Sequence, residues 1–345
     1  MLGAPPLLTE TPTSDPKAPA SDLLSDLLRV VRLAGSVFWK ADFGAPFAVA
    51  STGRTIERLL SNARPRHVTA FHLITHGRCW LDRPGHGRIA LSQGDIVMLP
   101  FGDYHELGNG DAPIVPTTEL VEAQAKEGVI TSMRHGGDGE STTIVCGFVQ
   151  SGDLFFNPVF RSLPRLFVEH TAGEPVTSLL ATTVRQLLTE VDLLRPGSRE
   201  MLGRMMEMLF FEMLRRYAEQ LPLGSIGWLG ALADPIVGRA LQRLHAEPMR
   251  SWTVEQLAAE VGTSRSVLAD RFKSILGQPP MQYLAGWRLQ LATNLLRDGS
   301  RSIAEVAGEV GYESEAAFNR AFKRHLGVPP GAWRENLPGA QTLPN

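Results

Sequence analysis

The sequence predicts an α+β protein in two parts: an antiparallel β-barrel with flanking helices, then an all-α domain of two tandem helix-turn-helix units joined by a linker helix. Between residues 35 and 156, short apolar runs alternate with Gly, Pro and Asp, a pattern typical of β-barrels and sandwiches. Residues 176–194 and 198–221 have the apolar spacing of helices. Between residues 252 and 333, one pattern then appears twice.

Composition limits the class of protein. The 345 residues, 43% of them hydrophobic, can bury two ordinary cores. Residues 238–337 carry 13 Lys and Arg against 10 Asp and Glu, whereas the rest carries 21 against 26. A weakly basic C-terminal domain that follows an acidic N-terminal domain is consistent with DNA binding by the C-terminal domain. Two cysteines, Cys79 and Cys146, offer no disulfide framework and favour the reducing cytoplasm. No apolar run approaches about 18 residues, so we expect no membrane partner.

The N-terminal part predicts a leader, a helix and a series of short strands. Residues 1–20, rich in Pro, Thr, Ser and Ala, predict a disordered leader. Residues 22–31 have leucines on one side, as in a short amphipathic helix. Residues 108–140 are polar and predict a long, mobile loop with a helical segment at 119–126. Strands are expected at 36–39, 70–75, 79–81, 89–91, 96–99 and 143–149.

Two helices are predicted to follow the barrel. In the second, Leu202, Met206, Leu209 and Met213 recur at helical spacing. Two interpretations of this wide apolar face stay open: packing on the barrel, or contact with a second copy in a homodimer. Three glycines in residues 222–230 indicate a linker. We expect a barrel domain at 21–222, a linker at 223–233 and a helix-turn-helix domain at 234–337.

One segment of the β region carries a candidate site. Residues Gly94–Asn109 resemble the second motif of the cupin superfamily, Gly-x5-Pro-x-Gly-x2-His-x3-Asn, in which the histidine, here His105, is a metal ligand inside the barrel. The companion motif should supply two histidines and a glutamate, but those positions carry Arg64, Arg66 and Ala70. Because a metal needs three or four protein ligands, we expect a cupin-like barrel without a metal or another cofactor. His105, His72 and Trp80 remain candidates for lining an effector pocket.

The duplicated stretch predicts two helix-turn-helix units. Asp234 and Pro235 form an N-cap and a first helical position, and they open a helix that precedes the units. Each unit then starts with a capping box and turns at a glycine. These positions are Thr253, Gln256 and Gly262 in the first unit, and Ser302, Glu305 and Gly311 in the second.

The second helix of each unit predicts a buried stripe and an outward face. The buried residues are Leu268, Phe272 and Leu276 in one unit and Phe318, Phe322 and Leu326 in the other. The outward residues that suit contacts with base edges are Arg265, Ser266, Ala269 and Asp270, then Glu315, Ala316, Asn319 and Arg320. Lys273, Lys323 and Arg324 lie later in their helices and suit phosphates.

Residues 281–297 predict the linker helix, with Leu284, Trp287, Leu291 and Leu295 along one side. At about 1.5 Å per residue this helix spans roughly 25 Å. Adding the half-widths of the two units approaches one turn of DNA, about 34 Å. Because the two outward sets differ, we expect an asymmetric, oriented DNA site.

The segment from Gly311 to Pro330 is highly specific to the AraC/XylS family of bacterial transcription regulators, and residues 234–337 resemble its DNA-binding domain. The N-terminal part is similar to the cupin-type effector domain of one branch of that family. Its marks are Gly35–Trp39, Phe71–His72, Cys79–Leu81, Gly94–Asp95, Cys146–Gly147 and Leu163–Pro164. The resemblance implies a transcription regulator rather than an enzyme. Its implied partners are double-stranded DNA, a small-molecule effector or a second copy, and RNA polymerase if it is an activator.

Two alternatives belong to other functional classes. The barrel could be a metal-dependent enzyme of the cupin kind, although the missing ligands argue against it. Cys79 and Cys146 could instead form a redox switch. Both cysteines lie in apolar runs, which favours buried, inert thiols.

Overall fold

The computed structural model describes residues 22–30, 33–51, 67–124, 132–151, 160, 162–171, 173–175, 177–193, 195–222 and 224–335. The predicted leader, residues 1–20, lies outside these ranges. The N-terminal part contains helix α1 (Leu23–Val30), eleven described strands and helix α2 (Thr117–Gln124). The strands are β1 (Leu33–Gly44), β2 (Phe47–Ser51), β3 (His67–His76), β4 (Arg78–Arg83), β5 (Gly87–Ser92), β6 (Asp95–Leu99), β7 (His105–Asn109), β8 (Ile114–Pro116), β9 (Ser132–Gly136), β10 (Ser141–Ser151) and β11 (Phe167–His170).

The strands form two sheets, in the orders β11-β6-β3-β10-β1-β9 and β5-β4-β7-β2-β8. Pairing is antiparallel as predicted, except that β9 pairs parallel with β1 and β8 pairs parallel with β2. Strands β8 and β9 both lie within residues 108–140. For these residues the sequence predicted a mobile loop with one helical segment and no strand. Strand β9 exposes alternate residues and buries Met133, so it contains no apolar run that a sequence pattern would reveal.

Apolar side chains from both sheets fill the space between them. They include Trp39, Phe43, Phe47, Ile74, Leu81, Val97, Leu107, Ile144 and Phe148. The opposite face of the six-stranded sheet, with Phe71 and Met98, is covered by helices α3 (Leu179–Leu193) and α4 (Ser198–Gln220). Phe210 of α4 contacts Phe71 edge-on, with ring centroids 6.5 Å apart. Packing on the barrel therefore accounts for the buried stripe of α4, while Met201 and Met208 stay 51% and 46% exposed.

The predicted linker contains a helix, α5 (Trp228–Ala233), that is part of the next domain. Trp228 is fully buried, and its Nε1 donates to the hydroxyl of Tyr283 at 2.8 Å. The same hydroxyl lies 2.8 Å from Nε2 of His245. Sequence pattern missed this helix because three nearby glycines suggested a loop. Residues 228–233, predicted as part of the linker, are thus helical and pack against residues of the C-terminal helices.

Gly227, directly before α5, touches both domains. Its N–H donates to the carbonyl of Ile275 at 2.8 Å. Its φ is +104°, and a Cβ on it would lie 2.3 Å from Cβ of Ser162 in the barrel domain. Only glycine tolerates both this backbone angle and this close approach. Gly227 is therefore a point at which the barrel domain contacts the first helix-turn-helix unit.

The C-terminal domain is all helical, and its helices follow the predicted order. They are α6 (Val237–Ala246), α7 (Val254–Glu260), α8 (Arg265–Leu276), α9 (Pro280–Asp298), α10 (Ile303–Glu309), α11 (Glu315–Leu326) and α12 (Pro330–Glu335). Asp234 caps α6 by accepting from the N–H groups of Ile236 and Val237 at 3.0 and 2.9 Å. Among the described helices, none combines the length and the apolar composition that a membrane span requires.

The linker helix α9 buries two different faces rather than the single predicted stripe. Tyr283, Leu284 and Trp287 pack with the first unit, whereas Leu289, Ala292 and Leu296 pack with the second. Leu291 and Leu295, predicted on the same side as Leu284, are only partly buried. The prediction assumed one partner for the helix, but the helix has a different partner at each end.

Candidate nucleic-acid interface and barrel interior

Each helix-turn-helix unit begins with the predicted capping box. The Thr253 hydroxyl accepts from the N–H of Gln256 at 3.1 Å, and Oε1 of Gln256 accepts from the N–H of Thr253 at 3.0 Å. Ser302 and Glu305 make the same two bonds in the second unit, at 3.2 and 2.7 Å. Gly262 then turns the chain with φ of +71°. These local contacts fix where the first helix of each unit starts and ends.

The two second helices are α8 and α11, and each buries one stripe. In α11 the predicted Phe318, Phe322 and Leu326 are buried. In α8 the predicted Leu268 and Phe272 are fully buried, but Ile275 takes the third core position and Leu276 is only partly buried. With 3.6 residues per turn, positions seven and eight residues along lie almost equally near the core. The spacing rule alone therefore could not choose between Ile275 and Leu276.

The predicted DNA-facing side chains of both second helices reach the surface. In α8, Arg265, Ser266, Asp270 and Lys273 are exposed and Ala269 is half-buried. In α11, Glu315, Ala316, Arg320, Lys323 and Arg324 are exposed and Asn319 is half-buried. Two non-identical sets of polar side chains are thus available to a duplex.

Helices α8 and α11 differ in how many of their cationic side chains are paired with a carboxylate. Nη1 of Arg265 lies 2.9 Å from the Glu255 carboxylate, which partly neutralises it. Among the described residues, Arg320, Lys323 and Arg324 form no ion pair. Unpaired cations bind phosphates and guanine edges most readily, so α11 offers a duplex more available cations than α8, although both helices have the same formal net charge.

Sequence reasoning missed Arg288, which joins the two units. On α9, its Nε donates to the carbonyl of Pro248 at 2.7 Å and its Nη2 to the carbonyl of Arg250 at 2.9 Å. The turn glycine of the second unit, Gly311, has φ of +84°, and a Cβ there would lie 2.9 Å from Cα of Met249 and 3.1 Å from Cζ of Arg288. The sequence feature that could have indicated this contact is a single arginine between the apolar residues Trp287 and Leu289.

In the barrel, the structure brings His72 and His105 together. Both are buried, and their Nε2 atoms are 2.7 Å apart. Nδ1 of His105 lies 2.8 Å from the carbonyl oxygen of Asp103, which can only accept, so Nδ1 carries a proton. Nε2 of a neutral His105 then accepts from His72. Nδ1 of His72, 3.2 Å from Sγ of Cys146, accepts from the thiol. The result is a chain of hydrogen bonds from Cys146 to Asp103.

Burial keeps this chain uncharged. It lowers the pKa of His105 to about 4, opposed by the hydrogen bond to the Asp103 carbonyl and the nearby Asp103 charge, and Arg83 lowers it further. Burial, followed by the proximity of His105, holds the pKa of His72 well below its usual range. Burial also raises the pKa of the Cys146 thiol. The three side chains are therefore neutral at pH 7.

Trp80, the third candidate for an effector pocket, lies on the other face of its strand. In β4, Cys79 and Leu81 point into the barrel, whereas Trp80 packs across Gly108, where a Cβ would come within 2.3 Å of the indole ring. Cζ of Arg88 lies 4.0 Å from the Trp80 ring centroid. Trp80 therefore does not line the same space as His72 and His105.

The structure also bears on the metal and redox alternatives. Searched over the described residues, no group of three His, Cys, Asp or Glu side chains is placed to hold a metal. Cys79 and Cys146 are free and buried. Burial, with a smaller effect of Asp95, raises the pKa of Cys79 to about 12. A thiol that stays protonated at pH 7 is a weak nucleophile, which disfavours a thiolate-based switch.

Family models and curated relatives match both halves of the sequence. A cupin family model matches residues 22–219, more than half of the chain, and a helix-turn-helix domain model matches residues 257–336. A putative AraC-like transcription regulator from Streptomyces lividans is 34% identical over 274 residues, covering 78% of this chain and 87% of the relative. The HTH-type transcriptional regulator AlkR of Acinetobacter baylyi is 31% identical over 249 residues, covering 70% and 79%. The fatty-acid-bound structure of ToxT from Vibrio cholerae aligns with 89% of this chain and 98% of its own, at 14% identity and a TM-score of 0.35.

Proposed function

The chain belongs to the AraC-like family of transcription regulators, and on that premise we propose that its two helix-turn-helix units read one oriented DNA site under control of the barrel. The observation that carries this proposal is the pair of exposed, non-identical side-chain sets on α8 and α11. Two identical sets would read the same half-site twice, whereas these sets place different side chains and different charges at corresponding positions.

We assign each exposed side chain of α8 and α11 to one kind of DNA contact, either with a base edge or with a phosphate. Arg265, Ser266, Ala269 and Asp270 on α8, and Glu315, Ala316, Asn319 and Arg320 on α11, meet base edges. Arg320 suits guanine and Asn319 suits adenine. Lys273, Lys323 and Arg324 bind phosphates. Helix α9, with 19 residues, spans about 28 Å and sets the two halves roughly one helical turn apart on the same face of the duplex.

The barrel domain is proposed to regulate this reader, either by binding a small effector or by homodimerisation. The polar group of His72, His105 and Cys146 inside an otherwise apolar barrel supports effector binding. Exposed Met201 and Met208 on α4 support contact with a second copy. The proposed domains are residues 21–222 and 234–337, with α5 added to the second. The setting is the cytoplasm, RNA polymerase is a partner if the regulator activates, and the barrel has no catalytic role.

DNA upstream of the chain's own gene is a suitable first target. We expect the full chain to bind it more tightly than a scrambled duplex at physiological salt, in a mobility-shift titration. Equal affinity for both duplexes would contradict sequence-specific reading at this site.

Two substitutions on α11 separate base contacts from phosphate contacts. Arg320→Ala should reduce discrimination at one base pair by about 1–3 kcal/mol. Lys323→Ala should weaken all duplexes alike and lower the slope of log affinity against log salt by about one. Arg204→Ala, on exposed Arg204 of α4, is the matched control and should change neither. If Arg320→Ala and Lys323→Ala act equally on every sequence, the division of labour is wrong.

A further inference from the structure

Glu255 and Arg265 form an ion pair between the two helices of the first helix-turn-helix unit. Nη1 of Arg265 lies 2.9 Å from Oε1 of Glu255. Glu255 is the second residue of α7, and Arg265 is the first residue of α8. Within the described chain, Arg265 has no other ion pair and no hydrogen-bonded side-chain partner. One acid of the first helix therefore contacts a candidate base-reading side chain of the second.

Folding stability does not explain this pair. The side chains of Arg265 and Glu255 are 71% and 56% exposed, and ion pairs that face water contribute little to stability. Arg265 also begins a helix, where the dipole of the backbone disfavours a cation. An exposed arginine in this position, paired with a carboxylate from outside its own helix, indicates a role other than folding.

The second unit forms the same two helices without the pair. Counted from the capping residues Thr253 and Ser302, Ala304 takes the place of Glu255. Glu315 takes the place of Arg265 as the first residue of the second helix. Helices α10 and α11 both begin at serine caps that accept a backbone hydrogen bond. The helix-turn-helix geometry therefore does not require an ion pair at these positions.

Pairing with acids outside the helix is a wider property of α8. Nε of Arg271 donates to Oδ2 of Asp234 at 2.8 Å, so Lys273 is the one cation of α8 without a carboxylate partner among the described residues. The three cations of α11 have no such partner there. Because free cations bind phosphates of any sequence, α8 has less sequence-independent attraction for a duplex than α11.

The chemistry of the pair suits recognition of a base edge. A guanidinium presents its N–H donors in a planar fork, and a carboxylate beside Nη1 leaves Nε and Nη2 for O6 and N7 of guanine. A mobile arginine loses side-chain freedom when it binds, whereas Arg265 is already restrained by Glu255. The negative charge of Glu255 also repels phosphates, which favours contact of Arg265 with a base over contact with the backbone.

We propose that Glu255 is a positioning residue for base recognition, and that it orients Arg265 toward a guanine in the half-site read by α8. This inference rests on the proposed reading of DNA by both units, and it names the residue pair that sets specificity in the first half. It makes α8 the more discriminating reader and α11 the more salt-dependent one.

The test begins with selection of a preferred site from a pool of random duplexes by the full wild-type chain. Affinities are then measured for that site and for each of its single base-pair substitutions. Arg265→Ala should lose about 5- to 150-fold of discrimination at one G·C pair. Glu255→Gln should lose about 2- to 10-fold at the same pair and keep its preferences elsewhere. Added to Arg265→Ala, Glu255→Gln should have no further effect on discrimination.

Glu309→Gln is the matched control. Glu309 lies on the first helix of the second unit and is 3.0 Å from Arg301, which is outside α11. The substitution removes the same charge and should leave all base preferences unchanged. Thermal unfolding of Glu255→Gln should match that of the wild type, because the lost pair is exposed.

Salt dependence gives a second measurement that a structural role would not change. Glu255 already neutralises Arg265, so Arg265→Ala should alter the slope of log affinity against log salt only slightly. Lys273→Ala, on the same helix, should lower that slope by about one. Equal changes of slope in the two variants would show that Arg265 binds a phosphate and would overturn the proposal.

Two further results would overturn the positioning role. Glu255→Gln could bind every duplex more tightly by the same factor, which would show only the removal of a negative charge. Its loss of discrimination could instead persist in the Arg265→Ala background, which would show that Glu255 contacts a base directly.

The selection also separates this inference from the function on which it rests. If the wild-type chain selects no preferred site, the proposed reading of DNA fails, and the positioning role fails with it. If the chain selects a site whose recognition depends on Arg320 but is unchanged in Glu255→Gln, the proposed function stands and the positioning role alone is wrong.

Discussion

Removing the side chain of Arg288 tests whether the two DNA readers are held at a fixed spacing. Arg288→Ala deletes two charge-assisted hydrogen bonds, to Pro248 and Arg250, that connect the linker helix α9 to the loop before the first unit. The same guanidinium borders Gly311 in the turn of the second unit. The substitution therefore loosens three segments at their common meeting point.

The size of the effect follows from these two bonds. A hydrogen bond from a charged group contributes about 1.5–3 kcal/mol, and Arg288 is half-buried, so we expect the free energy of unfolding to fall by about 2–4 kcal/mol. For DNA binding, ordering even one backbone residue costs about 1–2 kcal/mol. We expect a corresponding 5- to 30-fold loss of affinity for the intact site, again as an order of magnitude.

The assay compares duplexes whose two half-sites are separated by the natural spacing or by one or two more or fewer base pairs. The wild-type chain should discriminate strongly against altered spacing, because each added base pair rotates one half-site around the helix. Arg288→Ala should lose most of this discrimination while keeping its base preferences within each half. Arg239→Ala, which removes an arginine bonded to a carbonyl of its own helical segment, is the matched control. Wild-type spacing preference in Arg288→Ala would refute the idea that this junction fixes the spacing.

Two further predictions concern stability. Because burial lowers the pKa of His105 to about 4 while an unfolded histidine titrates near about 6.5, the unfolded chain binds more protons between these values, and stability falls as the pH falls. Urea unfolding should show a loss of about 2 kcal/mol from this residue between pH 7 and pH 5, and His105→Gln should flatten that slope whereas His135→Gln should not. Ser302→Ala removes the side-chain half of a capping box and should cost about 1 kcal/mol. Ser302→Asp should restore most of it, and equal destabilisation by both would exclude capping as the cause.

Local signals made most of the helical domain predictable. Capping boxes, turn glycines and periodic apolar residues are all short-range features, and Thr253, Ser302, Phe318 and Phe322 occupy the expected places. The main incorrect prediction concerns helix α9, which packs against the first unit at one end and against the second unit at the other. Helix α9 changes its buried face between Trp287 and Leu289, which no single periodicity describes.

The barrel was less predictable because its contacts are between residues distant in sequence. The cupin-like motif located His105, but nothing local indicates that His72, 33 positions away, lies within hydrogen-bond distance. The sequence suggested that Trp80 lines the same pocket as His72 and His105. In the structure its ring packs over Gly108 on the outer face of the sheet. The burial of Arg83, which is 7% exposed, was not predicted, because a charged residue at a strand end is normally exposed.

The separate apolar clusters of the two helix-turn-helix units have a thermodynamic consequence. One cluster runs without a break from the outer face of the six-stranded sheet through α3 and α4 to Trp228, α8 and the first half of α9, whereas the second unit has its own cluster. The outer face of the six-stranded sheet, its covering helices and the first reader therefore belong to one cooperative folding unit. The space between the two sheets has a cluster of its own, and the second reader can open locally while the first unit stays intact. A change of packing in the barrel reaches α8 through side chains in contact, but it reaches α11 only through the orientation of α9. Under the proposed mode of DNA binding, one half of the site is read by a surface coupled to the outer face of the barrel, and the other half by a surface that is nearly independent of it.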